Sequence, residues 1–229
     1  MEYDIALERD QAVFAPTLTT SVLTAQIDPA QVLGRVVLDM GCGSGPIAIA
    51  MARAGARKVV AVDLMPEACE LARRNAALNG VADRVTVLQG DLFAPVRGMA
   101  FDLIVDDVSG VADEVAQISS WFPSGVPAGG EDGTVHTVRM LRSARDHLAP
   151  GGRLLFPVLS LSRAQEVIRV AREVFGDGLR RLATQRIPFN PALRANGATL
   201  ERLKRAGMLD FTEIRSRRFW TLEVYCAQA

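Results

Sequence analysis

From residue 36 onward, short runs of aliphatic and β-branched residues alternate with longer stretches whose apolar positions recur at helical spacing. V-V-L-D-M (36–40), K-V-V-A-V-D (58–63), R-V-T-V-L (84–88), F-D-L-I-V (101–105) and L-L-F-P-V (154–158) read as strands. Their near-continuous hydrophobicity suits parallel strands covered on both faces. Further strands are predicted near 179–187 and 218–226. Helices are predicted over 45–55, from Pro66 to an Asn79-Gly80 stop, over 134–148 and near 162–175. This alternation predicts an α/β, doubly wound, mostly parallel sheet.

Three stretches break the rhythm. Residues 1–34 precede the first strand and read as a helical segment, with the core at 35–187. Residues 108–133 are rich in Ser, Gly and Pro and contain Trp121-Phe122-Pro123. Residues 188–217 place a helical insertion, with A-T-L-E-R-L-K-R-A-G, before the last strand. Long connections of this kind act as lids or binding loops, and in open α/β sheets they overhang the carboxyl ends of the strands.

Composition narrows the picture modestly. At 229 residues with 49% hydrophobic and 23% charged residues, the chain suits a single domain. Zero net charge argues neither for nucleic acid nor for an anionic membrane. The charge is uneven, however: residues 179–218 carry ten Lys/Arg against three Asp/Glu, a face able to attract an anion. Cys42, Cys69 and Cys226 are scattered, without disulfide or zinc spacing. Met1-Glu2-Tyr3-Asp4 is acidic where a secretory leader is basic, and no apolar run approaches the ~20 residues that cross a bilayer. A cytoplasmic location is expected.

The first strand empties into D-M-G-C-G-S-G-P, residues 39–46. Gly41, Gly43 and Gly45 let the backbone turn tightly and approach a ligand, and Pro46 opens a helix with unpaired N–H groups. The third glycine comes one residue too early for the dinucleotide fingerprint, and no P-loop lysine follows. Asp63 ends the second strand, where an acid accepts hydrogen bonds from ribose hydroxyls. Gly90-Asp91-Leu92 follows the third strand, placing an acid for an adenine amino group. A ligand with adenine and ribose but no phosphate fits, and S-adenosylmethionine is one.

These residues resemble the class I S-adenosylmethionine-dependent methyltransferases: D-M-G-C-G-S-G looks like their first motif, A-V-D their second and G-D-L their third. The resemblance covers roughly residues 13–160. It implies a Rossmann-like, mostly parallel seven-stranded sheet with the last strand antiparallel. It also implies S-adenosylmethionine as cofactor and S-adenosylhomocysteine as product. Asp39, Gly41, Gly43 and Gly45 become candidate cofactor contacts, as do Asp63, Leu64, Asp91, Leu92 and Thr20.

A narrower likeness is to the HemK-like glutamine N-methyltransferases and the methyltransferase small-domain group. It rests on V-F-A-P-T-L-T-T-S-V-L (13–23), on A-G-G-E-D-G (128–133) and on the A-R-R-N-A-A-L-N-G helix. That group ends its fourth strand with N-P-P-Y. Here Asp107 takes the Asn position, Val108 and Ser109 replace the prolines, and Gly110 replaces the aromatic. An ionised Asp only accepts hydrogen bonds, so it can hold a protonated amine or take a proton, but cannot donate to an amide carbonyl.

Asp107 is therefore the candidate general base or substrate contact, and Asp106 the group that orients it. Trp121, Phe122, Ser109 and His136 are candidate substrate-binding residues. His147 suits the end of a helix, and no metal-ligand cluster is visible. The sequence is read first as a methyltransferase that alkylates an oxygen or nitrogen of a small molecule. Alternatives are a macromolecular N-methyltransferase acting on protein or RNA, docked through residues 179–218, and a non-catalytic S-adenosylmethionine-binding module.

Overall fold

The computed structural model describes residues 4–123 and 125–228, so the Met1-Glu2-Tyr3 opening lies outside it. Five parallel strands form the heart of the sheet: β1 (Val36–Met40), β2 (Lys58–Asp63), β3 (Val85–Gln89), β4 (Phe101–Asp106) and β5 (Leu148–Leu159). β6 (Leu179–Pro188) and the last strand, β8 (Arg217–Gln228), complete the order β3-β2-β1-β4-β5-β8-β6. β8 runs antiparallel to both its neighbours. The mostly parallel, doubly wound sheet is what the alternating pattern predicts, and the antiparallel last strand is what the family resemblance implies.

The short β7 (Thr212–Ile214) forms an unforeseen hairpin with β8, inside the stretch read as a helical insertion. Its three exposed residues carry no periodic apolar signal. Earlier in that insertion the chain is helical, as α8 (Pro191–Ala195) and α9 (Gly197–Arg205). β5 and β8 are each twelve residues long, beyond the apolar runs that announce them.

Helices cover both faces of the sheet. α1 (Leu18–Ala25), α2 (Pro29–Val32), α3 (Pro46–Arg53) and α4 (Pro66–Leu78) lie on one side, where Leu23, Val32, Ile47, Met51 and Cys69 pack against Val37, Val59 and Val105. α6 (Val135–Ala144) and α7 (Ala164–Phe175) bring Met140, Leu141, Val167 and Val170 to the other, against Leu38, Val60, Ile104 and Phe156. Apolar side chains on both faces explain why the central strands show no polar alternation. A third cluster joins the short α5 (Asp113–Ile118) to α8, α9 and the start of β8 through Val115, Leu193, Leu200, Leu203 and Leu222.

Residues 4–17 are not helical, contrary to the reading of 1–34 as a helical segment. They form a strap along α4. Asn79 exchanges two hydrogen bonds with Ala6, and Arg74 pairs with Glu8 at 2.9 Å. Val13 is buried against Ala68 and Leu71. Bonding to side chains instead of to itself, this backbone has no reason to coil.

Candidate active site

The carboxyl ends of β1, β2, β3 and β4 surround a cavity of about 1000 Å³, roofed by the strap and by the loop around Trp121. At its floor the glycine loop leaves β1. Gly41 and Cys42 both donate their N–H to Val62 O, at 2.8 and 3.0 Å. Gly41 sits at φ 76°, and a Cβ there would stand 2.9 Å from Val108 N. Only glycine lets the two loops, one from β1 and one from β4, lie this close.

Asp63 holds the glycine loop from the side. Its Oδ2 accepts from Gly43 N at 2.8 Å and its Oδ1 from Met65 N at 2.9 Å. Burial nonetheless keeps its carboxyl above the usual carboxylate range. Each oxygen retains a lone pair for a hydroxyl. Asp91 lines the same cavity but is bridged by Arg139, with Nη2 at 2.7 Å from Oδ2. The next residue, Leu92, takes a left-handed φ of 48° without being glycine. Such a conformation is costly for a branched side chain and marks a place where the backbone is bent for a purpose.

β4 delivers the acids. Asp107 N donates to Met40 O at 2.9 Å, which fixes the first residue beyond β4 to the end of β1. Thr20, in the first turns of α1, donates its hydroxyl to Asp107 Oδ2 at 2.7 Å. No donor among the described residues reaches Oδ1. Burial pushes the Asp107 carboxyl up to about 7, against the lowering effect of the Thr20 bond. Asp106 is fully buried behind it, with Oδ2 unpartnered and Oδ1 taking only a long 3.4 Å bond from Val108 N. Asp39 is equally buried, its Oδ2 capped by Ala48 N at 2.9 Å and its Oδ1 unpartnered. Burial, reinforced by the charge of Asp107, holds both far above the carboxylate range.

The structure thus brings together Asp63, Leu64, Asp91, Leu92, Thr20, Gly41, Gly43, Asp107, Ser109, Trp121, Phe122 and His136 around one cavity. Asp39, Gly45 and Asp106 stand behind its wall. Thr20, read as a cofactor contact, spends its hydroxyl on Asp107. His136 bonds Ala128 O through Nε2 at 2.9 Å and so anchors the loop it faces. His147 bonds Met99 O and stacks on Phe93, away from the cavity and without a chemical part in it. Phe122 packs edge-on against Phe14 of the strap at 4.8 Å, closing the roof from two sides.

One functional residue escaped the sequence. Asn75 of α4 is fully buried; its Oδ1 accepts from Glu8 N at 2.8 Å, and its Nδ2 donates to Ser44 O at 2.9 Å and to Glu8 O at 3.3 Å. It ties the strap to the glycine loop. The signal was an amide inside the apolar stripe Ala68-Leu71-Ala72-Ala76.

The chain is similar to several named methyltransferases. A family model described as ribosomal protein L11 methyltransferase matches residues 17–128. The ribosomal protein L11 methyltransferase of Pelotomaculum thermopropionicum is 40% identical over 132 residues, which are 56% of this chain and 42% of that protein. The release factor glutamine methyltransferase of Geobacter sulfurreducens is 34% identical over 163 residues, 69% of this chain and 56% of its own. The chain spans about half the length of these curated relatives. Among solved structures, a ribosomal protein L11 methylase from Lactobacillus delbrueckii subsp. bulgaricus superposes with a TM-score of 0.59 at 21% identity, covering 95% of this chain and 82% of that one. The 16S rRNA N2 G1207 methyltransferase of T. thermophilus, in complex with AdoMet and guanosine, gives 0.55 at 20% identity, over 96% and 43%.

Proposed function

We propose that this chain, whose fold is that of the class I S-adenosylmethionine-dependent methyltransferases, methylates a nitrogen of a macromolecular substrate. The observation that carries the reading is Asp107: a carboxylate with one oxygen held by Thr20 and the other without a protein donor, in the cavity shared with the glycine loop and Asp63.

The residues present suit the cofactor. The Gly41 cradle would be filled by any Cβ, and Asp63 offers two acceptor oxygens. Gly41–Ser44 would hold the methionyl and ribosyl part, Asp63 the ribose and Asp91 with Leu92 the adenine. When bound, S-adenosylmethionine supplies an electrophilic methyl group. This chain's residues do the rest: Asp107 orients an N–H acceptor and takes its proton, while the Phe14–Phe122 roof excludes water. A carboxyl held near 7 is divided between base and acid at neutral pH, as proton acceptance and later release require.

The first sequence reading, a small-molecule acceptor, gives way to its alternative. The relatives are named for ribosomal protein L11 and for release factor, both large substrates. One relative is named for the glutamine of a release factor, an amide acceptor. Ionised Asp107 cannot donate to an amide carbonyl as an Asn can, so only its protonated form would suit an amide acceptor. An amine or a base amino group presents N–H donors to that carboxylate instead.

The test is incubation of the protein with methyl-labelled cofactor and cell extract, followed by separation by size. Label in the macromolecular fraction, lost in Asp107→Asn, supports the proposal. Label confined to the low-mass fraction refutes it.

A further inference from the structure

The ten cations between residues 179 and 218 are not all neutralised within the protein. Arg181 pairs with Glu223, Arg202 with Glu114, Lys204 with Asp210, and Arg218 with both Glu201 and Glu213. These pairs consume all three acids of the stretch. Arg180, Arg186, Arg194, Arg205, Arg215 and Arg217 are exposed and form no ion pair among the described residues.

Topology gathers four of them at one end of the sheet. β6 runs in the direction of β5, so Arg186 lies at its carboxyl end, and Arg194 follows directly in α8. β8 runs the opposite way, which brings its start, with Arg217 and the Arg215-Ser216 turn of the β7–β8 hairpin, to the same end. That is the end where the cavity opens. Ile187, Pro188, Asn190 and Trp220, the neighbours of these arginines in sequence, line it. The turn is unusual too: Arg215 and Ser216 both hold left-handed φ angles, 47° and 63°, where glycine or asparagine would be unstrained. The hairpin tip keeps an arginine where the backbone disfavours one.

We propose that this arginine rim docks the phosphate backbone of a folded RNA and presents one of its unpaired bases to the cavity. The inference rests on the macromolecular N-methyltransferase reading and names its partner. Guanidinium forks match phosphate oxygens and are weakly hydrated, which suits them to this contact. Protein interfaces deplete charge at their centre and concentrate aromatics, whereas nucleic-acid interfaces are polar and strongly positive. Here the exposed residues at the tip, Ile214, Arg215, Ser216 and Arg217, include no aromatic. Folded RNA offers splayed bases beside ordered phosphates. Trp121 and Phe122 stand in the cavity to stack such a base, and its exocyclic amino group can donate to Asp107.

The experiment is fluorescence anisotropy of a labelled RNA stem-loop with the full chain, between about 50 and 200 mM salt. Wild type should bind with a log–log salt slope of roughly −0.7 to −0.9 per arginine engaged. The triple variant R186E/R215E/R217E, all exposed positions, should lose about two to three from that slope and roughly tenfold or more in affinity at low salt. Its melting curve and its calorimetric affinity for S-adenosylhomocysteine should match wild type. No RNA binding, or a variant that binds as wild type does, overturns the proposal. So does equal binding of labelled polyglutamate, which would mark an acidic protein as the partner, or of duplex DNA of the same length. Failure to bind S-adenosylhomocysteine would instead strike the methyltransferase reading, independently of any RNA result.

Discussion

Thr20 and Asp107, separated by 87 positions in the chain, meet through a 2.7 Å hydrogen bond between the threonine hydroxyl and Oδ2. Thr20 itself is fixed by a reciprocal capping arrangement with Thr17 at the start of α1. The Asp107 carboxylate is thus set in position by a helix outside the sheet, and no donor among the described residues reaches its Oδ1.

This bond sets a pH dependence. Asp107 is held up to about 7 by burial, and the Thr20 bond, which favours the ionised form, works in the lowering direction. Methylation rate should rise with pH through a midpoint near that value. Thr20→Val removes the lowering influence and should move the midpoint to higher pH, with Thr20→Ser restoring it. Initial rates across the pH range decide the matter; an unmoved midpoint in the valine variant refutes the role.

Asp63 should matter to cofactor affinity. Asp63→Ala strands the Gly43 and Met65 N–H groups and any ribose hydroxyl it serves. Affinity for S-adenosylhomocysteine should weaken by roughly one to three kcal/mol, the usual penalty for unpaired buried donors. Titration calorimetry reads the change directly.

Stability should depend on pH in the direction opposite to salt-bridged carboxylates. Asp39 and Asp106 are held well above their ordinary 3.8 by burial. The folded state therefore keeps protons that the unfolded chain releases. The stability they confer is full below that value and is lost as pH rises toward the folded pKa. The melting temperature should fall as pH rises above the ordinary carboxylate range. In Asp106→Asn, which cannot ionise, the fall should be smaller. Melting curves with no difference in slope between the two proteins would refute the assignment.

Asn75→Ala should loosen the strap. Loss of the amide leaves Glu8 N, Glu8 O and Ser44 O without this partner. A destabilisation of about 2–4 kcal/mol is expected, at one to two unsatisfied groups' worth. Amide hydrogen exchange at Ala6 and Glu8 should accelerate more than in β1, which separates release of the strap from global weakening.

The sheet was legible because strands buried on both faces must be apolar throughout, and the glycine loop because its chemistry is local. The roof was not legible in the same way. Strap residues 4–17 take their hydrogen bonds from Asn75 and Asn79, more than sixty positions away, so no local pattern encodes their extended course. The double acid after β4 announced a site, and the match of Asp107 to the Asn of N-P-P-Y, not the adjacency itself, singled out the acid that faces the cavity. Strand alternation and the Met40 contact turn Asp106 inward and leave Asp107 at the wall. β7 remained hidden because an exposed three-residue strand has no buried face to pattern its sequence.

The close approach of Gly41 to Val108 carries a consequence for how such an enzyme can diversify. The spacing between the glycine loop and the first residues beyond β4 follows from the pairing of β1 with β4, main chain against main chain. Substitutions at Trp121, Phe122 or the arginine hairpin could therefore reshape what the cavity admits without altering that spacing.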